Sequence, residues 1–158
     1  MKRLFILLIA VVVVFFGWCT VSADAPENLY DDSNYILVST QPQADLAWYI
    51  ERNSLTVEKY NPPQYIISVN ICRVSNASTD YPEIVSVARG RFFYNSDLGQ
   101  MYVDRNGNSN WQYISPDSPR AYSLVSKPAG EMAFYLAYNM PFYGSNAGFY
   151  SEFYDPAD

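Results

Sequence analysis

Tyr65-Ile66-Ile67-Ser68-Val69-Asn70-Ile71-Cys72 is the stretch that decides the fold. Tyr65, Ile67, Val69 and Ile71 stand at alternate positions, with Ser68, Asn70 and Cys72 between them. A period of two is that of a β-strand with one face on a core and the other wetter. Similar β-prone runs surround it, each closed by turn residues, which is the pattern of an antiparallel sheet.

Working outward, Asn61-Pro62-Pro63 stops the chain just before this strand, because two prolines remove two ladder donors. Upstream, Tyr35–Gln41 reads as a first strand, and Trp48–Glu51 and Leu55–Tyr60 flank a tight turn at Arg52-Asn53-Ser54. Downstream, Asn76–Asp80 is a polar loop and Ile84–Tyr94 a further strand. The alternation of that strand slips near Gly90, which predicts a bulge there. Gln100–Arg105 and Asn108–Ile114 bracket Asn106-Gly107, a strong short-hairpin signal. Tyr122–Val125 is a candidate edge strand. Pro128–Met140 is the one helix, with Met132, Tyr135, Leu136 and Met140 at helical spacing and Pro141 and Gly144 ending it. The expected fold is α+β: an antiparallel sheet of about six strands with one C-terminal helix packed on it.

The N-terminus carries a different signal. Lys2 and Arg3 precede an apolar run from Leu4 to Phe16, and Val21-Ser22-Ala23 offers small residues for a signal peptidase. Those 13 apolar residues fall short of the roughly 20 that span a bilayer. Trp18 before Cys19 is too large for a lipoprotein signal. Residues 1–23 are therefore expected to be a signal peptide cleaved after Ala23, followed by a flexible lead-in over 24–34 and a single domain over 35–158. The mature chain is expected outside the cytoplasm, without membrane insertion.

Removing 23 of 158 residues leaves 135, and removing Lys2 and Arg3 takes the net charge from −6 to −8. So acidic a domain has no footprint for nucleic acid. The sequence contains no histidine, which excludes Ser-His-Asp and Cys-His catalysis and histidine-ligated metals. Cys72 becomes the lone mature cysteine and is read as a structural thiol. No cofactor is expected.

Two other chemistries have partial signals in the sequence. Asp104-Arg-Asn106-Gly-Asn108-Ser-Asn110 has oxygen ligands at alternate positions, like a calcium loop, but its glycine stands at position four and Ser115 at position twelve. A carboxylate-only hydrolase would need two of Glu51, Glu58, Glu83 and Glu131 together in an apolar pocket, and nothing in the sequence joins them. Glu131 is expected near the start of the helix, where the macrodipole favours it. Asn76-Ala77-Ser78 fits a glycosylation sequon.

The 15 tyrosines all follow the leader, and the C-terminal tail concentrates aromatic residues. Tyrosine-rich surfaces suit recognition of protein or glycan. Tyr143, Phe149, Tyr150 and Tyr154 are the candidate binding residues, the alternative being that the tail packs over the sheet.

Trp48-Tyr49-Ile50-Glu51-Arg52-Asn53-Ser54-Leu55 and Trp111-Gln112-Tyr113-Ile114-Ser115-Pro116-Asp117-Ser118 together resemble the opening and closing elements of the bacterial surface-adhesin protein E type of secreted domain. The resemblance covers roughly Ala47–Ser118 and implies a small β-sheet domain displayed outside the cell, of a kind in which some members adhere to host matrix proteins. The chain departs from that pattern in lacking a second mature cysteine. The expected function is an exported, non-catalytic, adhesin-like binding module for protein or glycan. A carboxylate-only cell-envelope hydrolase and a structural envelope component are the alternatives.

Overall fold

A computed structural model describes residues 24–117 and 124–143. The six strands are β1 (Tyr35–Gln41), β2 (Leu46–Asn61), β3 (Gln64–Ser75), β4 (Glu83–Asn95), β5 (Gln100–Asp104) and β6 (Gln112–Ile114). They form one antiparallel sheet in sequence order, and among the described residues one α-helix, α1 (Ser126–Tyr138), follows. The α+β expectation holds, with six strands and one C-terminal helix. Tyr122–Ser123, half of the expected edge strand, lie outside the described residues, and Leu124–Val125 form a turn.

The main core lies between the sheet and α1. Ile36, Val38, Ile50, Ile67, Val69, Phe92, Tyr94 and Met101 meet Ala129, Met132, Ala133 and Phe134 there. Alternation in β3 sends Ile67 and Val69 to this side, as the sequence requires. Ala129, Met132 and Ala133 follow the i, i+3, i+4 spacing of a buried helical stripe. Met140 lies past the helix and is 54% exposed, so the expected four-residue face shifts by about a turn. Asn139 ends α1 in the left-handed region at φ 54°, its N–H bonding the carbonyl of Tyr135, before Pro141 or Gly144 is reached.

A second cluster sits on the opposite face. Leu29, Leu37, Ala47, Tyr49, Cys72, Val74 and Ala77 are buried together. The segment expected to be a flexible lead-in covers them: Leu37 N–H bonds the carbonyl of Glu27, and the Tyr49 hydroxyl donates to that of Pro26 at 2.8 Å. Cys72, expected on the wetter side, is dry for this reason.

Three turn and bulge expectations are corrected. Arg52-Asn53-Ser54 is an irregularity inside the continuous 16-residue β2, because Arg52 and Asn53 N–H groups bond Asn34 and the Ser54 hydroxyl accepts from Asn70 N–H. The slip in β4 lies at Val85, which no residue of β3 faces, while Gly90 pairs regularly with Val69. Gly90 lets Ile71 pack close: a Cβ there would stand 2.7 Å from Ile71 Cδ1, so that side chain would have to shift. Asn106-Gly107 is not a two-residue hairpin but part of the longer connection between Asp104 and Gln112.

Candidate functional site

The face of the sheet away from α1 falls into three zones. The lead-in covers one end, a belt of polar side chains crosses the middle, and aromatic rings occupy the other end.

The belt is held by two arginines from β4. Arg89 donates through Nη1 to the Ser54 carbonyl and Asn70 Oδ1, and through Nη2 to Thr56 and Ser68 hydroxyls, all within 2.7–3.3 Å. It thereby clamps the irregular part of β2 onto β3. Arg91 Nε donates to Glu58 at 2.6 Å, and its Nη1 reaches Asp104 at 3.4 Å and Ser109 at 3.3 Å. Its guanidinium lies 5.2 Å from the centre of the Trp111 ring, a cation–π contact.

Asp104 organises the loop that carries Trp111. Its side chain is buried and accepts N–H bonds from Asn106, Gly107 and Ser109 at 3.2, 2.9 and 2.8 Å. Burial alone would raise its pKa, but these three amides and Arg91 outweigh it and hold the carboxyl below its ordinary value. Both oxygens face N–H donors, so the carboxylate is engaged by its own loop and by Arg91. Gly107 adopts φ +69°, where its lack of a Cβ is needed.

The aromatic zone is a cross-strand ladder. Phe93 on β4 pairs with Tyr102 on β5, which pairs with Tyr113 on β6. The ring centres of Phe93 and Tyr102 are 5.7 Å apart, those of Tyr102 and Tyr113 5.4 Å, and Trp111 joins Phe93 at 5.8 Å. Tyr113 is 53% exposed and the other three rings are half-buried. Such pairs stabilise the sheet and leave an amphipathic surface facing water.

The residues singled out from sequence lie elsewhere. Tyr143 packs against the main core, its hydroxyl donating to the Ile114 carbonyl at 2.6 Å and accepting Met101 N–H at 3.0 Å. Burial is the main reason that its pKa is raised. Phe149, Tyr150 and Tyr154 lie outside the described residues. Glu51 accepts from Asn70, and Glu58 from Arg91. Glu83 is exposed at the start of β4. Glu131 is not in the first turn: it lies deeper in α1, is buried, and accepts the Phe142 and Tyr143 N–H groups at 3.2 and 2.9 Å. The Cys72 thiol is buried and pushed up to about 11, by burial first and Glu51 second. Among the described residues no cluster of three metal-ligating side chains occurs, and no helix is long and apolar enough to cross a membrane.

No known protein family, curated protein or solved structure matches this chain.

Proposed function

We propose that this chain is an exported, non-catalytic binding module that recognises a protein or glycan outside the cytoplasm through the ladder Phe93, Tyr102, Trp111 and Tyr113. The observation that carries the reading is the position of these rings: three adjacent strands and one loop bring them to the open end of a face whose other end the lead-in covers. Rings of this kind offer contact area with little side-chain entropy to lose. The leader pattern and the resemblance to secreted adhesin domains supply the location. The carboxylates nearest the ladder are poorly placed for hydrolysis. Glu58 and Asp104 are tied to one guanidinium, and Asp104 is held in its charged form, which a general acid cannot be.

The test is an array of extracellular matrix proteins and envelope glycans probed with the full chain, followed by amide shift mapping of any binder. Shifts centred on Phe93, Tyr102, Trp111 and Tyr113 are expected. Shifts centred elsewhere would move the binding surface, and turnover of a glycoside on the same array would replace the module with an enzyme.

A further inference from the structure

The strand β4 is accompanied by β3 along its whole length, from Glu83 to Asn95. On its other side β5 pairs only with Arg91–Asn95. Among the described residues, Glu83–Gly90 thus present an unpaired backbone edge, and every residue from Val85 to Arg89 is exposed. Soluble proteins usually blunt so long an edge with charge, proline or a covering element. Here Val85 and Val87 lie open at 47% and 55%, and the Arg89 side chain is drawn back over the sheet by its four hydrogen bonds.

A groove of about 380 Å³ runs beside this edge on the helix side of the sheet. Ile71, Phe92 and Val103 line it from the sheet, and Leu124 and Val125 from the chain before α1. Ala88 and Gly90 belong both to the edge and to the groove wall. Arg89 and Arg105 border it. Arg105 bonds the Ser126 hydroxyl at 3.1 Å, and neither arginine has a carboxylate within ion-pair distance among the described residues. In a chain with 16 acidic and 10 basic residues, these two arginines give the groove a locally positive rim.

We propose that the Glu83–Gly90 edge and this groove form a docking site for an extended peptide segment of a partner protein, added as a strand beyond the end of β5. The peptide backbone would bond the β4 edge, alternate side chains would enter the groove, and an acidic residue would meet Arg105. Strand addition works in this way: main-chain bonds give affinity and a side pocket gives selectivity. This site is separate from the aromatic ladder, which lies on the other face.

A phage-displayed library of random nonapeptides, selected on the full chain, supplies the probe. Selected peptides are expected to alternate β-branched or other apolar residues with Asp or Glu. A synthetic copy should bind at least about tenfold more weakly to Arg105→Glu, where attraction becomes repulsion. Binding should be lost with Ala88→Trp, which fills the groove from an exposed position, and with backbone N-methylation of the peptide at alternate residues. Circular dichroism and thermal melts identify variants that keep the native fold. Two further edge variants, Val85→Lys and Val87→Lys, keep the test open if Ala88→Trp fails to fold. Peptides that bind folded variants and wild type alike would overturn the proposal, as would a selection that yields none. A chain dimer dissolved by Val87→Lys would assign the edge to a second copy, and cross-strand contacts from β4 to this chain's own residues would assign it internally. Either result would reject the peptide partner.

Discussion

The hydroxyl of Tyr94, in the sheet, donates a 2.7 Å hydrogen bond to the carbonyl of Gly130, in α1. The contact is buried and ties the helix to the sheet. A Cβ at Gly130 would stand 2.5 Å from Met101 Sδ and 3.0 Å from Phe92 Cδ1, both fully buried side chains. Gly130→Ala is expected to destabilise, because overpacking costs about 1–3 kcal/mol whereas alanine improves helix propensity by only about 1 kcal/mol. Tyr94→Phe should cost about 1 kcal/mol through the lost bond. Urea midpoints measure both; a stabilised Gly130→Ala would show that the close approach is not enforced.

The Asp104 carboxylate gives the fold an acid sensitivity. Its folded pKa lies below its ordinary value of 3.8. The unfolded chain therefore takes up this proton first as pH falls, so the stabilisation is complete above about pH 5 and is lost progressively as pH falls through 3.8 towards the lower folded value. Asp104→Asn should melt at a lower temperature at neutral pH and lose less on acidification than wild type. Melting curves from about pH 6 to about pH 3 read the difference. Parallel curves for the two proteins would mean that the amide cradle leaves the titration unchanged.

Cys72 should be chemically silent in the folded chain. It is 1% exposed and its thiol is pushed up to about 11, so at mild alkaline pH both access and thiolate are scarce. Iodoacetamide followed by peptide mapping is expected to leave Cys72 unmodified in buffer and to label it fully in urea. Rapid native labelling would contradict the covered position beneath the lead-in.

Much of this architecture was legible in the order of residues. β1 begins and ends where alternation and turn residues place it, and the Ile67 and Val69 side of β3 faces the helix as period two demands. What was hidden depends on contacts far apart in sequence. Arg52-Asn53-Ser54 carries turn-like residues, yet Asn34 and Asn70 satisfy its polar groups and β2 continues through it. The lead-in looks polar, yet Leu29 and Pro26 find partners across the sheet. Glu131 reads as a dipole residue until the returning chain places two amides over it. The ladder was missed because Phe93, Tyr102 and Tyr113 are modest singly and become a surface only through the β4–β5–β6 register. Its one local trace is the i, i+2 spacing that puts Arg91 with Phe93, and Gln100 with Tyr102, on one side of their strands.

The most direct measurement of the proposed function is the affinity of an array-identified matrix protein or glycan for wild type, Tyr113→Ala and Trp111→Ala, with the fold of each checked by circular dichroism. Aromatic contacts contribute about 0.5–1.5 kcal/mol each beyond area burial. Affinity is therefore expected to fall several-fold in each variant and further in the double variant, with melting curves that stay cooperative. Unchanged affinity in folded variants, against every ligand that the wild type binds, would contradict the ladder as the recognition surface.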